Sequence, residues 1–294
     1  MRGRFGALVT AMVTPFDCEQ KLDLAAARKL AGWLVDHGSD GLVVSGTTGE
    51  APTLSDEEKI ALWKAVLEAV GERVAVVAAT GSNDTAHTIH LTRAAEEVGA
   101  HGALVVTPYY NRPPQSGLIA HFKAVAGAVG LPIMLYDIPG RTARKIEHSS
   151  LLELASVENI VAVKDSVGDV QGAARLVAEA PEGFQVYCGN DGETLPWLSV
   201  GAVGVVSVAS HVVGLQMAEM ISRFASGDAE GARKINAALI PIYDAMAINA
   251  NPIPVKAALE LIGHPVGSSR LPLVPASPEE VAKIKEELSA AGVM

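Results

Sequence analysis

Gly201-Ala202-Val203-Gly204-Val205-Val206-Ser207-Val208 reads as a tight turn followed by a short apolar strand over Gly204–Val208, and it closes a rhythm that begins near the start of the chain. Seven earlier runs rich in Val, Ile and Ala precede it: Ala7–Thr10, Gly41–Val44, Val74–Ala79, Ala103–Val106, Pro132–Tyr136, Ile160–Lys164 and Gln185–Cys188. Each is followed by a polar loop and a longer helical pattern, the signature of repeated strand–helix units around a parallel sheet. Several runs lack polar alternation, as strands covered on both faces should. Three are reached through Gly-x-x-Gly, at Gly38 to Gly41, Gly99 to Gly102 and Gly201 to Gly204. The first glycine of each can end a helix and turn the chain sharply into the strand.

Downstream of this last strand the rhythm changes. From Val212 onward only helical patterns remain, broken at Gly227-Asp228, at Asn251-Pro252 and over Leu271–Pro275. The final helix opens on Ser277-Pro278-Glu279-Glu280 and carries Val281, Ile284 and Leu288 on one stripe. Ser55 with Glu58 three residues later is a second capping box, placed before Ile60, Leu62 and Trp63. Eight strand–helix units over residues 1–225 and a helical segment over 226–294 are the count of a (β/α)8 TIM barrel with a C-terminal helical extension. A doubly wound sheet would want Gly-x-Gly-x-x-Gly after the first strand, where this chain has Met12-Val13-Thr14-Pro15-Phe16.

Composition narrows the function classes. Apolar residues are 49% and charged residues 19%, with 28 Gly and 16 Pro spread along 294 positions, which excludes disorder, collagen and coiled coil. The net charge is −10, and no basic patch offsets it, so nucleic acid is not an expected partner. The longest strongly apolar stretch, Val200–Ala209, is far shorter than a membrane span. Pro15 and Asp17 stand where a secretory cleavage site would follow Met1-Arg-Gly-Arg, and the two cysteines, Cys18 and Cys188, suit a reducing compartment. A cytoplasmic location is therefore expected.

In a barrel, catalytic groups sit at the C-terminal ends of the strands. After the second strand, Ser45-Gly46-Thr47-Thr48-Gly49-Glu50 offers paired hydroxyls and flexible backbone that could hold a carboxylate, or else simply cap a turn. The sixth strand ends in Val163-Lys164-Asp165-Ser166, a lone lysine on an apolar strand. It could serve as a nucleophilic amine in a low-dielectric mouth, or snorkel from the rim to water. Three of the five tyrosines lie in Thr107-Pro108-Tyr109-Tyr110-Asn111-Arg112 and Tyr136-Asp137-Ile138-Pro139-Gly140-Arg141-Thr142. A phenol can relay protons and an arginine can clamp a carboxylate with two parallel hydrogen bonds. Interface packing is an equal reading for Tyr109 and Tyr110, and an ordinary surface ion pair for Arg141. His87 and His90 lack the context of a zinc motif and read as a solvated helix face. There is no Gly-x-Ser-x-Gly elbow and no Walker loop.

Taken together, Gly46–Glu50, Thr107–Pro113, Tyr136–Thr142, Val163–Asp165 and Asn251-Pro252-Ile253-Pro254-Val255-Lys256 resemble the dihydrodipicolinate synthase family, within the pyruvate-dependent class I aldolases that include N-acetylneuraminate lyase. The resemblance covers essentially the whole chain. It implies a Schiff base between Lys164 and pyruvate, and a proton relay of Tyr136, Thr47 and a Tyr110 donated by a neighbouring subunit. It further implies that Thr48 holds the pyruvate carboxylate, that Gly189 and Val206 border the substrate, and that Arg141 binds the carboxylate of an aldehyde partner, favouring aspartate semialdehyde. The implied reaction is condensation and cyclisation to 4-hydroxy-tetrahydrodipicolinate on the way to diaminopimelate and lysine. It needs no metal or organic cofactor, because the protonated iminium is the electron sink. A homotetramer built as a dimer of dimers is implied as well.

The chain departs from the family pattern at several points. Asp137 stands where Asn is more usual and Val206 where Ile is common. His87 occupies a position where lysine-inhibited members carry Glu, with Ala51, Asp56 and Lys59 around it and Asn83 and Tyr109 retained. Loss of a carboxylate partner for an effector's ammonium predicts weak or absent inhibition by lysine. Two rival functions are a lyase acting on a 2-keto-3-deoxy sugar acid or N-acetylneuraminate, and a non-catalytic carboxylate-binding barrel. The paired threonines with Arg141 disfavour the first; a retained nucleophile disfavours the second.

Overall fold

A computed structural model describes residues 3–294. Its eight strands are β1 (Leu8–Ala11), β2 (Gly41–Val44), β3 (Ala75–Ala79), β4 (Gly102–Val106), β5 (Ile133–Asp137), β6 (Ile160–Asp165), β7 (Gln185–Cys188) and β8 (Gly204–Ser207). Each pairs in parallel with the next, and β8 pairs with β1 to close the barrel. The expected strands all form, β2 and β7 over the expected residues and the other six with one or both ends moved by a single residue. The Asp40 carboxylate accepts the N–H groups of both Ala7 and Leu8 and so anchors the start of β1. At β8, Val208 and Ala209 donate to the Asp191 carboxylate, so the strand stops at Ser207.

Around the barrel run α1 (Leu24–Asp36), α2 (Asp56–Val70), α3 (Thr85–Glu97), α4 (Gln115–Ala126), the single turn α5 (Pro139–Thr142), α6 (His148–Ala155), α7 (Val170–Glu179), α8 (Thr194–Ser199) and α9 (Ser210–Ala225). The C-terminal segment supplies α10 (Ala229–Met246), α11 (Ile253–Leu261) and α12 (Pro278–Ala290). Both expected capping boxes form, Ser55 with Glu58 on α2 and Ser277 with Glu280 on α12.

Alternation along the strands divides the apolar residues between two cores. Val9, Val43, Val77, Leu104, Met134, Ala162 and Val206 fill the lumen, with Phe5 and Tyr187 closing its floor. Leu8, Leu42, Val76, Val105, Leu135 and Val163 face outward into the helix layer. Both faces are therefore buried, which is why the strand sequences read as continuous apolar runs. Leu239, Ile242 and Met246 of α10, Leu259 of α11 and Leu288 of α12 belong to that same outer core. The helical segment is thus packed onto the barrel and can deliver side chains to its loops. No helix among the described residues is long and apolar enough to cross a membrane.

Candidate active site

The centre of the site is set by strand pairing. Tyr136 on β5 and Lys164 on β6 are in direct register. Alternation turns both into the lumen, and Lys164 Nζ stands 4.2 Å above the centre of the Tyr136 ring. Lys164 is only 6% exposed, so it does not snorkel to water. The buried Lys256 forms an ion pair with Glu50 at 2.6 Å, whereas Lys164 faces the ring of Tyr136. A buried amine beside a phenolic O–H is the pair that carbinolamine formation and dehydration require, one group to attack a carbonyl and one to move protons.

Beside them opens a cavity of about 440 Å³, lined on one side by Thr47, Leu104, Val106, Tyr136, Ile138 and Arg141. Lys164, on the neighbouring strand, packs against the Tyr136 ring and is not itself among the lining residues. Thr47 belongs to a loop built under strain: Ser45 and Glu50 both have positive φ, at 54° and 57°. Side-chain bonds hold the loop in place. Trp63 Nε1 donates to Ser45 Oγ at 2.7 Å, and Thr14 Oγ1 donates to the carbonyl of Gly49 at 2.6 Å. Glu50 accepts the Lys256 ammonium on one oxygen and the N–H of Arg270 on the other, at 2.9 Å. Asn251 Nδ2 donates to Thr48 Oγ1 at 2.8 Å, which leaves the Thr48 O–H free to point at a ligand. The tail motif from Asn251 to Lys256 therefore acts as a bolt on the β2 loop. Sequence reading quotes those residues but gives them no role; the available signal was a lysine within the apolar opening of a helix. Removing one member of such a buried ion pair costs on the order of 3–5 kcal/mol.

Arg141 sits on α5, exposed at the rim of the cavity, just before Ala143 at φ 55°. Its guanidinium is free to meet a carboxylate bidentately. Just after β7, Gly189 gives its N–H to the carbonyl of Asp165 at 2.7 Å, and a Cβ there would collide with Ser166 Oγ. Val206 is buried in the lumen. The Asp191 carboxylate fixes the turn after β8 through the N–H groups of Val208 and Ala209, at 3.1 and 2.9 Å.

Two tyrosines behave differently. Tyr109 is half-buried against the cavity, and burial raises its phenol above the usual range. Tyr110 has φ 70°, is 89% exposed and does not line its own chain's cavity. The reading of His87 as part of a solvated helix face holds only in part, since its side chain is 40% exposed but also has a partner. His87 lines the far side of the cavity and bonds the Asp56 carboxylate of α2 at 2.9 Å, because α2 and α3 lie side by side. His90 remains exposed, 3.8 Å from the same carboxylate.

The sequence and the fold both match known proteins. Residues 4–291 match the model of the dihydrodipicolinate synthetase family. A 4-hydroxy-tetrahydrodipicolinate synthase from Moorella thermoacetica is 51% identical over 99% of this chain and 100% of its own. Among solved structures, dihydrodipicolinate synthase DapA-2 from Bacillus anthracis is 46% identical with a TM-score of 0.96, covering 98% of this chain and 99% of that one. The synthase from Cyanidioschyzon merolae, solved with lysine bound, is 41% identical with a TM-score of 0.98, each chain covered in full. With a family model spanning nearly the whole chain and half the residues shared with a full-length relative, this chain belongs to the dihydrodipicolinate synthetase family.

Proposed function

We propose that this chain is a Schiff-base lyase that condenses pyruvate with L-aspartate 4-semialdehyde to give 4-hydroxy-tetrahydrodipicolinate. The observation that carries the reading is the register pair Tyr136–Lys164 inside the barrel, with Thr47 and Arg141 on the same cavity. The Lys164 amine adds to the ketone of pyruvate, and loss of water gives an iminium. A C3 proton then leaves, the enamine attacks the aldehyde carbon, and the amino group of the second substrate displaces Lys164 as the ring closes. Tyr136 and Thr47 move the protons; the Thr48 O–H and nearby backbone N–H groups hold the pyruvate carboxylate. Gly189 and Val206 shape the wall on which pyruvate rests, and Arg141 binds the carboxylate of the semialdehyde.

Tyr110 completes the relay from a second copy of the chain. Its left-handed backbone is unusual for an aromatic residue, and an exposure of 89% for so large a ring is relieved when another subunit covers it. A homotetramer arranged as a dimer of dimers fits this requirement. Free cysteines at Cys18 and Cys188 fit a cytoplasmic enzyme.

Turnover of pyruvate with aspartate semialdehyde is compared with cleavage of a 2-keto-3-deoxy sugar acid and of N-acetylneuraminate. The expected result is condensation with the semialdehyde and little cleavage of either sugar acid. Preferential cleavage of a sugar acid would overturn the substrate assignment.

A further inference from the structure

The outer face of the strand ends that carry Tyr136 and Lys164 holds a second register pair. Asp137 and Asp165 are paired one step further along β5 and β6. Alternation turns them out of the lumen toward the helix layer, and adjacent strands lie only about 5 Å apart. Both are buried, at 0% and 6% exposure. Each carboxyl gives one oxygen to its own downstream loop: Asp137 Oδ2 accepts from the N–H of Ile146 at 3.0 Å, and Asp165 Oδ1 from that of Val167 at 2.8 Å. Asp137 Oδ1 is buried without a partner. Lys145 is the cation facing both acids, and it also reaches Asp169 at 3.6 Å; Asp169 and Glu193 add negative charge beside Asp165. Two buried carboxylates with one shared cation are costly to ionise together.

We propose that Asp137 and Asp165 share one proton through the carboxyl oxygens that the backbone leaves free, forming a clasp that positions the Arg141 loop and the Tyr136–Lys164 pair. Asp137 is tied through Ile146 to the end of the excursion that carries Arg141, so splaying the two carboxylates displaces that loop first. Burial pushes Asp137 up to about 7 and Asp165 up to about 6, which places release of the shared proton near neutrality. As pH rises, the proton passes to solvent and no other bond changes. Asp137→Asn copies the protonated state, because its amide oxygen can accept from Ile146 while its N–H₂ donates toward Asp165. The kinetic arm of the test rests on the function proposed above; the spectroscopic and thermal arms do not.

The sign follows from linkage. A carboxyl raised in the folded state binds its proton more tightly there, so stability falls as pH climbs from the ordinary carboxylate range to about 7. Melting temperatures of the wild type and Asp137→Asn are expected to converge as pH falls to about 4, where the carboxyl is protonated in the unfolded chain too. By about pH 8 the variant should melt roughly 5 °C higher. The infrared spectrum of the wild type near about pH 6 should show a protonated-carboxyl band that Asp137→Asn lacks. KM for the semialdehyde should rise several-fold above neutrality in the wild type and stay flat in Asp137→Asn, with KM for pyruvate following the same course in both. Asp137→Ala, which leaves the Ile146 N–H unpartnered, should weaken the fold at every pH. Parallel melting curves for wild type and Asp137→Asn across this range, or no protonated-carboxyl band in the wild type, would overturn the proposal whether or not the enzyme accepts the semialdehyde.

Discussion

The two ends of the barrel solve the same backbone problem in opposite ways. At the floor, where helices turn into strands, positive φ angles fall on glycines: Gly38 at 101°, Gly99 at 81° and Gly201 at 102°. At the mouth, where strands run into loops, they fall on residues with side chains, Gln20, Ser45, Glu50, Tyr110, Arg112 and Ala143, with Gly168 at 83° the one glycine among them. A glycine reaches this region without steric cost, whereas another residue is held there only by surrounding bonds. The bonds are present, from Trp63 to Ser45 and from Lys256 to Glu50. The floor is thus built for unstrained closure, and the mouth keeps strained backbone because the side chains at those positions are needed.

If the division is sound, changes at the mouth should remove function and changes at the floor should remove stability. The largest effect is expected for Lys164→Met, which should lower turnover by at least ~1000-fold, on the order of 4 kcal/mol in the barrier, without lowering the melting temperature. A large loss of stability together with activity would blur the comparison. Next, Arg141→Ala should raise KM for the semialdehyde by roughly 30-fold, with KM for pyruvate and the melting temperature little altered. At the floor, Gly38→Ala forces an L-residue to φ 101° and brings its Cβ to 2.8 Å from the carbonyl oxygen of Gly214. Denaturant titration should register a loss of about 2 kcal/mol, with the kcat of the folded fraction preserved. The smallest effect is expected from added lysine. The acids at the far side of the cavity are already engaged, Asp56 by His87 at 2.9 Å and Asp84 by the N–H of Ala86 at 2.7 Å. Millimolar lysine should therefore change the rate by less than about 2-fold; strong inhibition would show that those carboxylates are available after all.

The same contrast explains what could be read from the chain alone. Floor features are local: a Gly-x-x-Gly turn and the strand after it lie within eight residues, so the eight strands and their order were legible, as were Lys164 and Tyr136 at strand ends. The supports of the mouth are not local. Asn251 reaches Thr48 and Lys256 reaches Glu50 across some 200 positions, and nothing in either segment names the other. The His87–Asp56 contact likewise requires knowing how α2 and α3 pack. The Asp137–Asp165 pair depends on the register of two parallel strands, which a slip of one residue would destroy. The end of β8 shifted for a related reason, since the Asp191 side chain takes the N–H groups that follow it.

The central claim is that the buried amine at the mouth is a nucleophile toward pyruvate. Incubation with pyruvate, reduction with borohydride and peptide mapping test it directly. The account predicts a single pyruvate-derived adduct on the peptide carrying Lys164, absent from Lys164→Met. An intact fold with no adduct there, or an adduct carried by Lys59 or Lys256 instead, would contradict it.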